Sequence, residues 1–509
     1  MLSPHEEAVA EMATVLLRPL AYLWSEMRAP SPKTYTILFL LILILRCTRI
    51  NNPSRIGRSY RPVRPKSRSK RYTQRDVTVI LPTTNPESDS FAESIVTILE
   101  SHPYAVLVVT VQGPLAVQTQ RVLEAYRHSY PQTRIGLAAT KDASERVRIA
   151  HAVRRVATQI TVLADDTVSW TRAILPWLLA PFQDDDKVAV VSIEKRLRRI
   201  GEGEWSLASA ANLLACLCFT KRAHDLREAS SGRGADYSLI TAFLPFPSGR
   251  TTAYRTAFLD DEAIQARLRD TKVPLSGVWG GYGKGKRPRE EADDMDIETF
   301  LAREAVERRG AKLVFQSTFA PVGDDPVVEV TPAVATLPSL SHLLALDARR
   351  TVRAVLAALC SPRLLFQRPK SYILSLLTAF LTLPLAWDLA LLWTFSRGTL
   401  CRYVDVQSGM GYWSRHRFLA LCALMVFVKC FRFSSHFARY PVDLVYLPCH
   451  VLFGLVHPVI KIWGLFTFKV DASRRQTSDK LTDKLTDKLN GPAEGFVGDM
   501  NSWNFRAVL

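Results

Sequence analysis

The sequence predicts an α/β protein: a doubly wound, mostly parallel sheet with an N-terminal membrane anchor before it and C-terminal transmembrane helices after it. Three observations carry that expectation. Short aliphatic and β-branched runs alternate with segments of helical spacing between Val77 and Ile193, the pattern of strand–helix–strand units. An apolar run from Thr34 to Leu45 is followed at once by Arg46. A second, longer apolar region fills residues 371–469.

In chain order, residues 1–33 hold a candidate amphipathic helix (Val9, Met12, Val15, Leu16, Tyr22, Leu23). Residues 34–47 read as the anchor. It is retained rather than cleaved, because no small-residue cleavage site follows it; an interfacial helix is the alternative. Residues 48–75 are rich in Arg and Lys, contain no acid, and are broken by Pro53, Pro62 and Pro65. Such a segment cannot bury a core and reads as a linker. Its charge beside an apolar run places it and the next domain on the cytosolic side, against anionic lipid. The net charge of +18 would suit nucleic acid, but its concentration beside apolar segments favours a membrane surface. Cys216 and Cys218 form only a CxC, so neither a disulfide framework nor a structural zinc site is expected.

The folded domain is expected over 76–345. Strands are predicted at Val77–Leu81, Ala105–Val111, Thr133–Ala138 and Val188–Ile193, and helices at Phe91–Glu100, Leu115–His128 and Ala143–Val156. Between them lies QITVLADDTVSW, residues 159–170. Here the buried run Ile160–Leu163 ends in Asp165 and Asp166. Ligands of open α/β sheets bind beyond the carboxyl ends of the strands. Two adjacent carboxylates there suit a divalent cation bridging protein to diphosphate. The cluster Asp184, Asp185 and Asp186 is expected to be a solvated turn, and Arg196, Arg198 and Arg199 a solvated basic face, with diphosphate contact as the alternative. GGYGKGK, residues 280–286, is not a P-loop, because Arg287 stands where a Mg²⁺-binding Ser or Thr is needed.

VTVILPTTNP, ITVLADDTVSW with ILPWLLAPFQDD, SGRTTAYRTAFL and RYPVDLVYLPCHVLFGLVHPVIKIWGLFTF, in that order, resemble membrane-embedded family-2 glycosyltransferases. The likeness is to the fungal polysaccharide synthases akin to hyaluronan synthase and the type 3 capsular synthase. It implies a GT-A-like domain that uses a UDP-sugar and Mn²⁺ or Mg²⁺. By the same resemblance, Pro82, Thr83 and Thr84 hold the nucleotide, Asp165 and Asp166 the metal, and Asp165 the diphosphate as well. In ADDMDIETFLARE, residues 292–304, Asp293 is the general base toward the acceptor hydroxyl and Asp294 stands beside it. Gly249 and Arg250 line the substrate pocket; Arg250 and Arg255 pair with phosphate or serve the fold, and Arg349, Arg350 and Arg353 are further candidates for phosphate.

Two departures stand out. Thr167 falls where many relatives carry a third Asp, and Leu346 with Asp347 replace an Arg-Trp whose Trp stacks on acceptor sugar. Residues 346–370 form an interfacial segment, and 371–469 the transmembrane helices. Within them Asp388 should face protein or a polar passage, and His450 and His457 share a face for packing or interhelical hydrogen bonding. The tail, 470–509, repeats Thr-Asp-Lys-Leu and reads as low-complexity sequence. The expected activity is inverting transfer of a sugar from a UDP-sugar to a saccharide in polysaccharide synthesis. Single-sugar transfer to a lipid, or an impaired pseudo-glycosyltransferase acting as a membrane interaction protein, are the alternatives. The expected location is a multi-pass protein of the plasma membrane with its catalytic domain in the cytosol. Membrane lipid is the expected partner besides donor and acceptor, and nucleic acid is not.

Overall fold

The computed structural model describes residues 31–44, 61–65, 71–142, 144–201, 204–230, 250–270, 297–317, 328–331, 340–341, 344, 384–400, 412–431, 433–454 and 459. The chain falls into two compact units, one of 1–53 with 381–432, the other of 54–380 with 433–509.

The larger unit is built on strands β1 (Val77–Pro82), β2 (Ala105–Val111), β3 (Arg134–Thr140), β4 (Ile160–Ala164), β5 (Val168–Trp170), β6 (Val188–Ile193), β7 (Lys195–Leu197), β8 (Thr251–Arg255), β9 (Lys312–Gln316) and β10 (Val328–Val330). Seven of them form one sheet in the order β3-β2-β1-β4-β8-β6-β9, and β5, β10 and β7 form a second, small one. In the large sheet β1 runs parallel to β2 and β4, β2 to β3, and β6 to β9, while β8 is antiparallel to both its neighbours. The α/β class and the mostly parallel sheet are therefore as the sequence predicts. The strands β8 and β9 and the small sheet are additional.

Alternation along the strands explains why both faces are covered. Val77, Val79 and Leu81 join one buried cluster with Val106 and Val108, whereas Ile80 joins another with Ala105, Leu107 and Val109. The helices start where local chemistry allows. Ser88 caps Asp89–Leu99 by accepting from the Phe91 amide at 3.2 Å. Gly113, at φ 107, turns the chain before Pro114 opens Pro114–Ser129, a conformation that costs glycine little. The helix Glu145–Val153, which packs on the other face through Ile149 and Val153, lies within the predicted 143–156.

Asp184, Asp185 and Asp186 lie at the amino edge of the sheet. Asp185 meets Lys312 at 2.5 Å, and Asp186, 69 % exposed in its side chain, pairs with Arg71. The basic run after β6 is not a solvated face. Arg198 pairs with Glu93 and Glu329. Arg199, 1 % exposed in its side chain, grips Asp443 at 2.8 Å, and Asp443 also meets His436 at 3.0 Å. A guanidinium beside a buried carboxylate is recruited into the fold, and only the distant residues 436 and 443 reveal that partner.

In the smaller unit, helices cover residues 32–44, Pro384–Arg397 and Tyr412–Phe431. Phe39, Leu391, Phe395 and Leu421 pack together, and Thr36 Oγ1 lies 2.8 Å from Thr399 Oγ1. Ile37, Leu41, Leu389, Trp393, Leu419 and Phe427 face outward. Asp388 is 7 % exposed, so it faces protein as expected. Among the described residues no helix is long and apolar enough to cross a membrane. In the larger unit His450 stands edge-on to Phe433, ring centres 4.9 Å apart, consistent with packing; His457 lies outside the described residues.

Candidate active site

The site forms where β1, β4 and β8 meet. β4 ends at Ala164, so Asp165 and Asp166 emerge at its carboxyl edge, half-buried. The parallel neighbour β1 ends beside them and delivers Pro82, Thr83 and Thr84. Thr83 is buried, its amide held by the Val109 carbonyl at 2.9 Å, and its hydroxyl donates to Asp166 Oδ2 at 2.9 Å. Thr84 adds a backbone hydrogen bond to the same carboxylate. Burial raises the pKa of Asp166 and the charge of Asp165 adds to that, against the lowering effect of the Thr83 and Thr84 bonds.

Because β8 is antiparallel to β4, its first residues lie against the end of β4. Ala164 faces Thr251, and the Asp165 amide continues the ladder by donating to the Arg250 carbonyl at 3.1 Å. Arg250 is thereby fixed beside Asp165. Its own amide donates to Asp165 Oδ2 at 2.7 Å, Nε lies 3.6 Å from Oδ1, and Nη1 donates to Glu145 Oε1 at 2.6 Å. The same strand carries Arg255 to the opposite edge, where it donates to the Val188 carbonyl at 2.8 Å and the Tyr72 hydroxyl at 2.9 Å. Five residues of strand span about 17 Å, so of the two arginines in SGRTTAYR only Arg250 belongs to the site. Arg255 serves the fold.

Two site residues come from the helix Glu145–Val153: Glu145, and Arg148, whose Nη1 donates to the Thr83 carbonyl at 3.1 Å. Arg148 is 5 % exposed, and its Nε has no hydrogen-bond partner among the described residues. Burial lowers its pKa, while Glu145 and Asp166 pull the other way. Sequence reasoning did not single out either residue. The signal was present, because helices of a doubly wound sheet begin at the carboxyl edge of the strands. The first turn of a helix predicted over 143–156 must therefore border the site.

Thr167 is half-buried, and its carbonyl accepts from the Thr331 amide at 2.8 Å as the chain enters β5. The structure thus unites Thr83, Thr84, Asp165, Asp166 and Arg250. Gly249, Asp293, Asp294, Arg349, Arg350 and Arg353 lie outside the described residues. So does residues 280–286. The nearest described element to the acid segment is the helix Ile297–Arg303. Its Glu298 is buried against Lys195 at 2.7 Å and accepts from the Thr252 hydroxyl at 2.5 Å. A depression of about 630 Å³ lined by Val156, Thr158, Gln159, Arg255 and Asp260 opens at the amino edge, away from these groups.

Asp165 and Asp166 offer hard oxygen donors, and among the described residues no group of three His, Cys, Asp or Glu residues is placed to hold a metal ion. Two carboxylates completed by substrate phosphate oxygens fit Mg²⁺ or Mn²⁺, which are commonly held that way with nucleotide substrates. The buried cations Arg148 and Arg250 beside them suit an anionic ligand.

A strand-end acid pair flanked by buried cations is suited to a divalent ion and an anionic substrate, and the comparisons with known proteins give the family. Residues 73–333, just over half of the chain, match the family described as "Glycosyltransferase like family 2". The chain belongs to that family, and is thus a glycosyltransferase by descent. It is 26 % identical over 412 residues to a type 2 glycosyltransferase of Zymoseptoria tritici, covering 80 % of this chain and 77 % of the relative. To another of Pyricularia oryzae it is 27 % identical over 407 residues, covering 78 % and 74 %. Among solved structures it is similar to a mannosyltransferase of Pyrobaculum calidifontis in complex with GDP-Man and Mn²⁺. There the identity is 14 % and the TM-score 0.42, with 81 % of this chain and 98 % of that one covered.

Proposed function

We propose that the protein transfers a sugar from a UDP-sugar to a saccharide hydroxyl with inversion at the anomeric carbon, in the synthesis of a polysaccharide at a membrane. The observation that carries this reading is the acid pair at the end of β4, flanked by Thr83 and the cations Arg148 and Arg250. Held by Asp165 and Asp166, a divalent cation would neutralise the diphosphate as it departs. Arg148, whose Nε has no hydrogen-bond partner among the described residues, donates to the same oxygens. Thr83 and Thr84 keep Asp166 oriented. Asp293 is the base that removes the proton from the attacking hydroxyl, with Asp294 beside it, and Gly249, Arg349 and Arg350 complete the pocket. One base and no covalent nucleophile correspond to a single displacement.

The reading includes membrane attachment, with the catalytic unit on the cytosolic side of a plasma membrane. Its support is the smaller unit, whose helices turn Ile37, Leu41, Trp393, Leu419 and Phe427 outward while the basic linker follows the first of them. Transfer of one sugar to a lipid is the second reading, favoured by Leu346 and Asp347 in place of Arg-Trp.

The test is UDP release by membranes carrying the protein, with a panel of UDP-sugars and Mn²⁺. Asp293→Asn should abolish transfer and keep UDP binding, and product length separates polymer from single transfer. No UDP release and no UDP binding with any donor would refute the proposal.

A further inference from the structure

One of the two carboxylates assigned to the divalent cation already has a cation. Both oxygens of Asp165 are engaged by Arg250, Oδ2 by its amide at 2.7 Å and Oδ1 by Nε at 3.6 Å. This is not a loose surface pair: Arg250 is 8 % exposed, and the ladder bond from the Asp165 amide fixes its backbone. The side chain also has a second anchor, because Nη1 donates to Glu145 Oε1 at 2.6 Å. A divalent ion on Asp165 would stand within a few ångströms of this guanidinium, and like charges so close in a partly desolvated site repel strongly. The guanidinium must therefore leave Asp165 when the ion arrives, and Glu145 offers it a place to stay.

Resting on the reading of Asp165 and Asp166 as metal ligands, we infer that Arg250 is a built-in counter-cation. It competes with the divalent ion for Asp165 and makes metal binding depend on nucleotide. Without nucleotide, the ion has to displace a paired guanidinium and gains only two carboxylates. With nucleotide, the diphosphate supplies oxygens to the ion and new acceptors to the released guanidinium, and Arg148, buried beside Thr83, adds to that pull. Metal and nucleotide then bind co-operatively, each raising the affinity of the other by the same factor. Arg250 thus guards the acid pair against free divalent ions.

The test is Mn²⁺ binding to the detergent-solubilised full chain, read from the paramagnetic signal of free Mn²⁺ with and without UDP. Wild type should bind Mn²⁺ weakly alone and more tightly with UDP. Arg250→Gln should tighten Mn²⁺ alone by at least about tenfold, since one nearby positive charge is removed, and weaken the coupling to UDP. Arg250→Lys, which keeps the charge without the fork, should fall between the two, and stands in if the glutamine variant does not fold. If wild type binds Mn²⁺ with UDP, but Arg250→Gln binds Mn²⁺ no more tightly and keeps the full UDP effect, the inference falls while the transferase reading survives. If neither protein binds Mn²⁺ under either condition, both fall.

Discussion

Removing one member of the buried Lys195–Glu298 pair should be among the most damaging single changes in the larger unit. The two side chains are 0 % and 1 % exposed, and Nζ lies 2.7 Å from Oε2. At an effective dielectric constant of about 20, opposite charges at that distance attract by roughly 6 kcal/mol. Taking each ion out of water costs several kcal/mol, so the pair as a whole adds little net stability. The single variant Lys195→Met is different, because it removes the buried counter-charge from a carboxylate that is 1 % exposed. The expected loss is about 3–5 kcal/mol, against a total of about 5–15 kcal/mol for an ordinary domain. Adding Glu298→Gln removes the stranded charge and leaves an amide oxygen for the Thr252 hydroxyl, which now donates to Glu298 Oε1 at 2.5 Å. The double variant should therefore recover about 2 kcal/mol or more over the single one, a coupling expected only of groups in contact. Urea unfolding of the purified full chain, followed by tryptophan fluorescence, measures both. A single variant within about 1 kcal/mol of wild type, or a double variant less stable than the single, would refute the reasoning.

Asp166→Asn should raise the thermal midpoint of the ligand-free protein at pH 7 while abolishing Mn²⁺-dependent UDP binding. Burial raises the Asp166 pKa, so this group favours folding below the unfolded-state value, and that contribution is lost as pH rises through the folded-state value. The stability gain should shrink as pH falls into the ordinary aspartate range; a variant less stable at pH 7 would count against the assignment. Glu194 has the opposite sign. Burial alone would raise it, but Arg227, Arg196 and Ser317 hold it down to about 2 from an ordinary 4.5. Its contribution is present above 4.5 and fades as pH falls toward about 2. Glu194→Gln should thus be clearly destabilised at pH 7, by a margin that narrows on acidification; a margin independent of pH would exclude the linkage.

Much of the site could be read from the chain because its chemistry is local. An apolar run followed by two acids marks a strand end, and β1 parallel to β4 puts Thr83 beside Asp166. Arg250 and Arg255 looked equivalent because sequence does not state strand direction. Only the antiparallel insertion of β8 separates them, leaving one at each edge of the sheet. Glu145 and Arg148 were overlooked although their helix was foreseen, since a helical pattern identifies buried positions and says little about what its first turn faces.

The sequence by itself determined the α/β alternation, the strand that ends in Asp165 and Asp166, and the apolar stretches around the catalytic unit. These follow from periodicity and composition, which act over a few residues. The tertiary structure alone decided which charges are paired: Arg250 with Asp165 and Glu145, Arg199 with Asp443, and Lys195 with Glu298. Those partners are separated by 85 to 244 residues along the chain. A buried charge takes whatever counter-charge the packing of distant elements brings within reach.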